Sequence, residues 1–379
     1  MSELQLTRKP VKHQALFTLK PPMIKLADGR DAINLCINNY LGLANHPALI
    51  ATAMQGINQF QFGLSFPQFI HGTEALRREL ELQLNAFLET EDTFLFSTCL
   101  TQHTDLFSQV MHHDDALISN IDNDFENLHH TQATTFNFEN NNMTDLENQL
   151  RLATQFKNKF IATEGIFHMD GQIANLPAIC DLAKKYNAHV LVNDTHAAGF
   201  VGEKRRGTPE YHHIADRVDL VMNQFVQTKN HFSGGYISGQ KKWIDLLRAA
   251  EHPAQASQAE MINTTLSVLE LLNASPERIQ RLYQNSHYLR EKLTALGFTL
   301  LPGDHPIIAV MLEDSAITAA MMQALLEEGI YVFAFSYPLV PQNKARLRLQ
   351  VSAIHTQAHL DKTIAAFKKV GKNLGVIDL

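Results

Sequence analysis

Four short apolar runs mark the middle of the chain: FLFSTCL (94–100), KFIATEGI (159–166), HVLVND (189–194) and DLVMNQF (219–225). Their apolar residues are consecutive rather than alternate, which predicts strands buried on both faces. Helical periodicity lies between them. From Leu76 to Leu88 the positions Leu76, Leu80, Leu84 and Phe87 or Leu88 form one stripe at helical spacing. Strands alternating with helices predict an α/β domain, with a mostly parallel sheet covered by helices.

Near residue 273 the pattern changes. SPERIQRLYQNSHYLREKLTALG (275–297) reads as one long helix, with Ser275 as N-cap, Pro276 at the first helical position and Gly297 at its end. A strand near 305–312, a helix near 315–328, two short strands and a final helix from about 356 follow. The expected organisation is an N-terminal arm (1–35), a large α/β domain (36–272) and a small C-terminal α+β domain (273–379). In open α/β sheets ligands bind beyond the carboxyl ends of the strands. Thr163-Glu164, Asn193-Asp194 and the stretch 223–236 stand there, so chemistry is expected at those residues.

Composition narrows the partners. A formal charge of −7 argues against nucleic acid and anionic membranes, which ask for a basic patch. Cys36, Cys99 and Cys180 are far apart and form no CxxC pair, which suits a reducing compartment. The N-terminus has no apolar signal region and no long apolar run occurs, so a cytoplasmic location is expected. The 19 histidines include HHDD at 112–115 and pairs at 129–130 and 212–213. None has helical His-x3-His spacing with a carboxylate partner, so no metal site is expected.

NNYLGLANHP (38–47), EGIFHMDGQIANL (164–176), HVLVNDTHAAGFVGEKRRG (189–207) and RLRLQVSAIHT (346–356) together resemble the α-oxoamine synthases. The C-terminal segment is most similar to their glycine C-acetyltransferase branch, the 2-amino-3-ketobutyrate CoA ligases. The resemblance implies the fold-type I architecture of enzymes dependent on pyridoxal phosphate (PLP), joining an acyl-CoA to an amino acid. It also implies a homodimer with sites at the subunit interface, and PLP as electron sink for a carbanion at the amino-acid Cα.

Carried over position by position, the resemblance breaks on the cofactor side. The Asp that holds the pyridine nitrogen protonated falls at Asn193, followed by Asp194, Thr195 and His196. The ring-stacking His falls at Asp124, with Phe125 beside it, and Thr98 and Cys99 fall on further cofactor-side positions. Val218-Asp219 and Gly234-Gly235-Tyr236 frame the family's lysine loop without a gap, which puts Gln227 at the Schiff-base lysine and Gln224 at the phosphate-binding Thr. Asn223 and Val226 replace small residues, and QASQA (255–259) replaces the segment that reaches a partner's phosphate. A Gln amide forms no Schiff base and abstracts no proton. Lys229 lies two residues on, a shift that keeps the same face of a strand, and is the alternative lysine.

Other positions keep the family residue or depart singly. Arg348 matches the arginine that clamps the substrate carboxylate. Asn39, Asp170 and His196 also match, with Asn39 and Asp170 equally suited to capping turns. The family Ser before Met becomes His168, a family Arg becomes Gln68, and a family His becomes Arg77. His231 lies in the altered loop.

Three readings follow. In the first the PLP site is dismantled and the chain is a pseudoenzyme, a subunit of a heterodimer with an active homologue, or a carboxylate or acyl-CoA binder, with no covalently held cofactor. In the second a PLP-independent enzyme uses His168, His196, His231 or Asp124 for acid–base work. In the third an active PLP-dependent acyltransferase uses Lys229. Asn193, Gln224 and Gln227 are expected to satisfy one another's hydrogen bonds or those of ordered water.

Overall fold

A computed structural model describes residues 18–60, 73–96, 111–120, 132–224, 235–250 and 259–378. The chain divides into two compact units. One comprises residues 43–283 with 301–307, and the other residues 1–42, 284–300 and 308–379.

The strands run β1 (Thr18–Lys20), β2 (Met23–Lys25), β3 (Asp31–Asn34), β4 (Asp92–Phe96), β5 (Ala116–Asn120), β6 (Thr134–Phe138) and β7 (Lys159–Glu164). They continue with β8 (His189–Asn193), β9 (Leu220–Gln224), β10 (Gly235–Gly239), β11 (Ile307–Glu313), β12 (Ile330–Tyr331), β13 (Phe333–Phe335) and β14 (Ala345–Gln350).

In the unit 43–283 with 301–307, seven strands form one sheet in the order β4-β10-β9-β8-β7-β5-β6. The neighbours from β9 to β6 are parallel. Only β10 runs against its partners, β4 and β9. β4, β5 and β7 are buried along their whole length. The predicted run 94–100 is a strand only to Phe96 among the described residues. The stripe at Leu76 lies on the helix Thr73–Leu88, where Leu80, Leu84 and Leu88 pack with Leu95, Tyr236 and Ile262.

The second unit holds two small sheets, β1-β2-β3-β12 and β11-β14-β13. The helix read from SPERIQ spans Pro276–Ala295, and Gly297 follows at φ +94°, a conformation that suits glycine at a helix end. Leu289 and Leu293 of that helix join a core with Ile308, Val310, Leu347, Leu349 and Phe367. The stretch expected as an arm, 1–35, carries β1 to β3, with the β2–β3 hairpin turning at Asp28-Gly29. No helix among the described residues is long and apolar enough to cross a membrane.

Candidate functional site

Three adjacent parallel strands, β7, β8 and β9, end side by side. Glu164 pairs in register with Asn193, and Asn193 with Met222. The backbone carries the row one residue further. Gly165 N–H donates to Asn193 O at 2.8 Å, and Asp194 N–H donates to Met222 O at 2.8 Å. The side chains beyond these ends are those the sequence singled out, at the place where an open α/β sheet binds ligands.

Asn193 is buried and turned onto its own turn. Its Oδ1 accepts from Thr195 N–H at 3.2 Å and from the Thr195 hydroxyl at 2.6 Å, an Asx turn. The Asn193 oxygen is thus used by Thr195, two residues away, because the hydroxyl and amide are already held within reach, and Gln227, expected to share bonds with Asn193 and Gln224, lies outside the described residues. Asn223, at a position where the family carries a small residue, donates from Nδ2 to Asp194 O at 3.1 Å and so ties β9 to the turn after β8.

Asp194 is fully buried. Its Oδ2 accepts from Thr208 N–H at 2.8 Å and its Oδ1 from the Thr208 hydroxyl at 2.5 Å. Burial pushes its carboxyl up to about 6 against the pull of those Thr208 bonds. Gly207 lies at φ +102° directly against Asp194 Oδ2, where a Cβ would sit 1.6 Å from the oxygen.

Glu164 and His168 form a close pair. His168 Nδ1 lies 2.7 Å from Glu164 Oε1, and the His168 backbone N–H donates to Oε2 at 3.3 Å. The His168 ring lies nearly parallel to that of His196, with centroids 6.3 Å apart and 15° between planes. His196 is buried, and its carbonyl lies 2.8 Å from His305 Nε2, while His305 Nδ1 accepts from Ile307 N–H at 3.0 Å. Asp170 caps the turn after His168 by accepting from Gln172 N–H at 2.9 Å.

Arg77 is placed elsewhere in the same unit, in a structural network. It is buried, donates to Leu95 O at 2.9 Å, pairs with Glu81 at 3.3 Å and lies over the Phe94 ring.

The other unit holds Arg348 and Asn39. Arg348 sits on β14 opposite Phe333, with its guanidinium 4.9 Å above the Phe335 ring and Nη2 donating to Gln350 Oε1 at 3.4 Å. Gln350 in turn donates to the Tyr40 hydroxyl at 3.2 Å and to Asn38 Oδ1. Asn39 lies at a turn, its carbonyl accepting from Gly42 N–H and from the Ser352 hydroxyl. The flat guanidinium is thus set by an aromatic face and a carboxamide, a geometry suited to bidentate carboxylate recognition.

Gln68, Thr98, Cys99, Asp124, Phe125, Gln227, Lys229, His231 and residues 255–258 lie outside the described residues. Gln224 ends β9 half-buried, paired in register with Gly235. Sequence reasoning marked Glu164 only as a strand-end carboxylate, and missed its pairing with His168, the Thr208 clamp on Asp194 and the support from His305. The i,i+4 spacing of Glu164 and His168 was visible, but outside a helix that spacing says nothing about contact.

The family described as Aminotransferase class I and II matches residues 30–367. The 2-amino-3-ketobutyrate coenzyme A ligase of Escherichia coli K12 is 41% identical over 362 residues, covering 93% of this chain and 91% of that protein. A serine palmitoyltransferase from Sphingomonas wittichii superposes with a TM-score of 0.88 at 27% identity, covering 96% of this chain and 94% of the other. A serine palmitoyltransferase structure described as holding the PLP internal aldimine superposes at 0.87 with 28% identity, covering 96% and 94%.

Proposed function

The chain belongs to the class I and II aminotransferase family, among α-oxoamine synthase relatives with the fold-type I architecture, and from that premise we propose that it acts on an acyl-CoA thioester and a small amino acid. The observation that carries the reading is the extent of the likeness to a coenzyme A ligase, 41% identity along 93% of the chain. The substrate side agrees with it. Arg348, stacked on Phe335 and steered by Gln350, offers the planar fork that a carboxylate needs.

PLP is the group that chemistry uses elsewhere in the family, supplying an electron sink for negative charge at Cα. One described position on that side, Asn193, departs from the family's residue. An asparagine at 193 carries no charge to keep a pyridinium protonated, and its oxygen already accepts twice from Thr195. In this reading Arg348 binds and orients the amino-acid carboxylate.

A second reading keeps the cofactor. The identity with the ligase favours it, and Lys229 would supply the Schiff base in place of Gln227. One experiment separates the two. The full chain is incubated with PLP, reduced with borohydride and mapped by peptide mass spectrometry, while acetyl-CoA binding is measured by calorimetry. Acetyl-CoA binding with no lysine adduct supports the first reading. A reduced adduct on Lys229 establishes the second. Failure to bind acetyl-CoA refutes both and leaves a non-catalytic relative.

A further inference from the structure

We infer that Gln350 is the residue that aims Arg348 at the carboxylate of the amino-acid substrate; this rests on the reading of Arg348 given above. Gln350 ends β14, two residues beyond Arg348, so both side chains leave the same face of the strand. It is wholly buried, and a buried carboxamide has to place both its oxygen and its N–H groups. Arg348 has only donors to offer, which fixes the amide. Its Oε1 accepts from Arg348 Nη2 at 3.4 Å, and Nε2 turns the other way. There it donates to the Tyr40 hydroxyl at 3.2 Å and to Asn38 Oδ1.

The partners of Nε2 are themselves held. Gln350 N–H donates to Leu35 O at 2.7 Å, and Ala353 N–H donates to Tyr40 O at 2.7 Å. The Ser352 hydroxyl donates to the carbonyls of Asn39 and Tyr40. Burial pushes the Tyr40 phenol up, so it stays a neutral hydroxyl. The carboxamide is thus mounted on the segment 35–40, with its oxygen turned to the guanidinium. The Phe335 ring, 4.9 Å from the guanidinium carbon, sets the plane of the fork. Gln350, at the edge of that plane, limits how the fork turns within it.

Neutrality is what suits a glutamine to this task. A carboxylate of the same shape would pair with Arg348 and cancel the charge that a substrate carboxylate needs. The carboxamide engages one N–H at the long end of hydrogen-bonding range and leaves the guanidinium its full charge. Gln350 therefore acts through Arg348, as a positioning residue. Its loss should show as a loss of discrimination between a ligand with a carboxylate and one without.

The test is calorimetry on the full chain saturated with acetyl-CoA, titrated with glycine and with glycinamide, which has the same amine and no carboxylate. The unaltered chain should prefer glycine by about 10- to 100-fold, the range for hydrogen bonds to a charged group. Gln350→Glu keeps the shape, adds the competing charge and should abolish that preference. Gln350→Met keeps the length without a polar group and should lower the preference by about 3- to 10-fold, and it serves if the first variant folds poorly. Neither should weaken the binding of glycinamide or acetyl-CoA. A merely structural role would weaken glycine and glycinamide together.

An undiminished preference for glycine in both variants overturns the inference, as does a parallel loss of both ligands. Equal affinities of the unaltered chain for the two ligands, or no binding of glycine, also overturn it, while acetyl-CoA binding leaves the acyl-CoA reading standing. No acetyl-CoA binding by the unaltered chain removes that reading and the inference with it.

Discussion

Asp194 gives a stability prediction whose sign and size both come from the structure. Its carboxyl is fully buried, with Thr208 as its hydrogen-bond partner through N–H and hydroxyl. Burial outweighs the opposing pull of the Thr208 bonds and leaves it at about 6, up from 3.8. A carboxyl raised in the folded state binds its proton more tightly there than in the unfolded chain. Its contribution is therefore fully present below about pH 4 and is lost as pH rises through about 6. A rise of about two units corresponds to about 3 kcal/mol, at about 1.4 kcal/mol per unit. Asp194→Asn removes the titration while keeping the packing. The amide oxygen still accepts from Thr208 N–H and the amide nitrogen can donate to the Thr208 hydroxyl. The stability difference, variant minus unaltered chain, should therefore rise by about 3 kcal/mol between about pH 4 and about pH 7, in favour of the variant at the upper end. Urea unfolding of both proteins across that range measures it, because groups that titrate in both cancel in the difference. A difference that stays flat with pH would refute the argument. It would mean that Thr208 and the local backbone solvate the carboxylate as well as water does.

Three further outcomes follow from other contacts. Gly207→Ala should destabilise the chain by more than about 1 kcal/mol, since its φ of +102° is strained for alanine and the new Cβ would meet Asp194 Oδ2; an unchanged urea midpoint would contradict this. Glu81→Leu leaves the buried Arg77 without its carboxylate partner, which the partly exposed Arg78 and Arg248 share, and should cost about 3–5 kcal/mol in urea unfolding. Arg348→Ala should weaken glycine binding in the presence of acetyl-CoA by about 1.5–3 kcal/mol, with Arg348→Lys only partly restoring it because an ammonium lacks the planar fork set over Phe335; equal affinities by calorimetry would remove Arg348 from the site.

The strands were legible because burial on both faces writes itself as consecutive apolar residues, as in KFIATE of β7, whose six positions are all buried. The N-terminal hairpin was less so, although Asp28-Gly29 between two short apolar runs is a turn signal, and Gly29 does adopt φ +84°. The location of the candidate site was legible for a topological reason: Glu164, Asn193 and Gln224 end three neighbouring parallel strands, with Asn223 just before the last, and strand ends can be found in a sequence. What each side chain does there could not be read the same way. Thr208 reaches Asp194 across 14 residues and His305 reaches His196 across 109, while Asn193 spends its oxygen on Thr195 only two residues away. A residue type states which bonds a side chain can make, and only the packing decides which are made. A polar residue at a strand end is therefore ambiguous until its partner is known. Asn193 closes its own turn, Asn223 ties two segments together, and Glu164 pairs with an imidazole, although all three stand near the carboxyl ends of neighbouring strands. That difference in partners, more than the replacement of charged by neutral residues, decides what each strand end does.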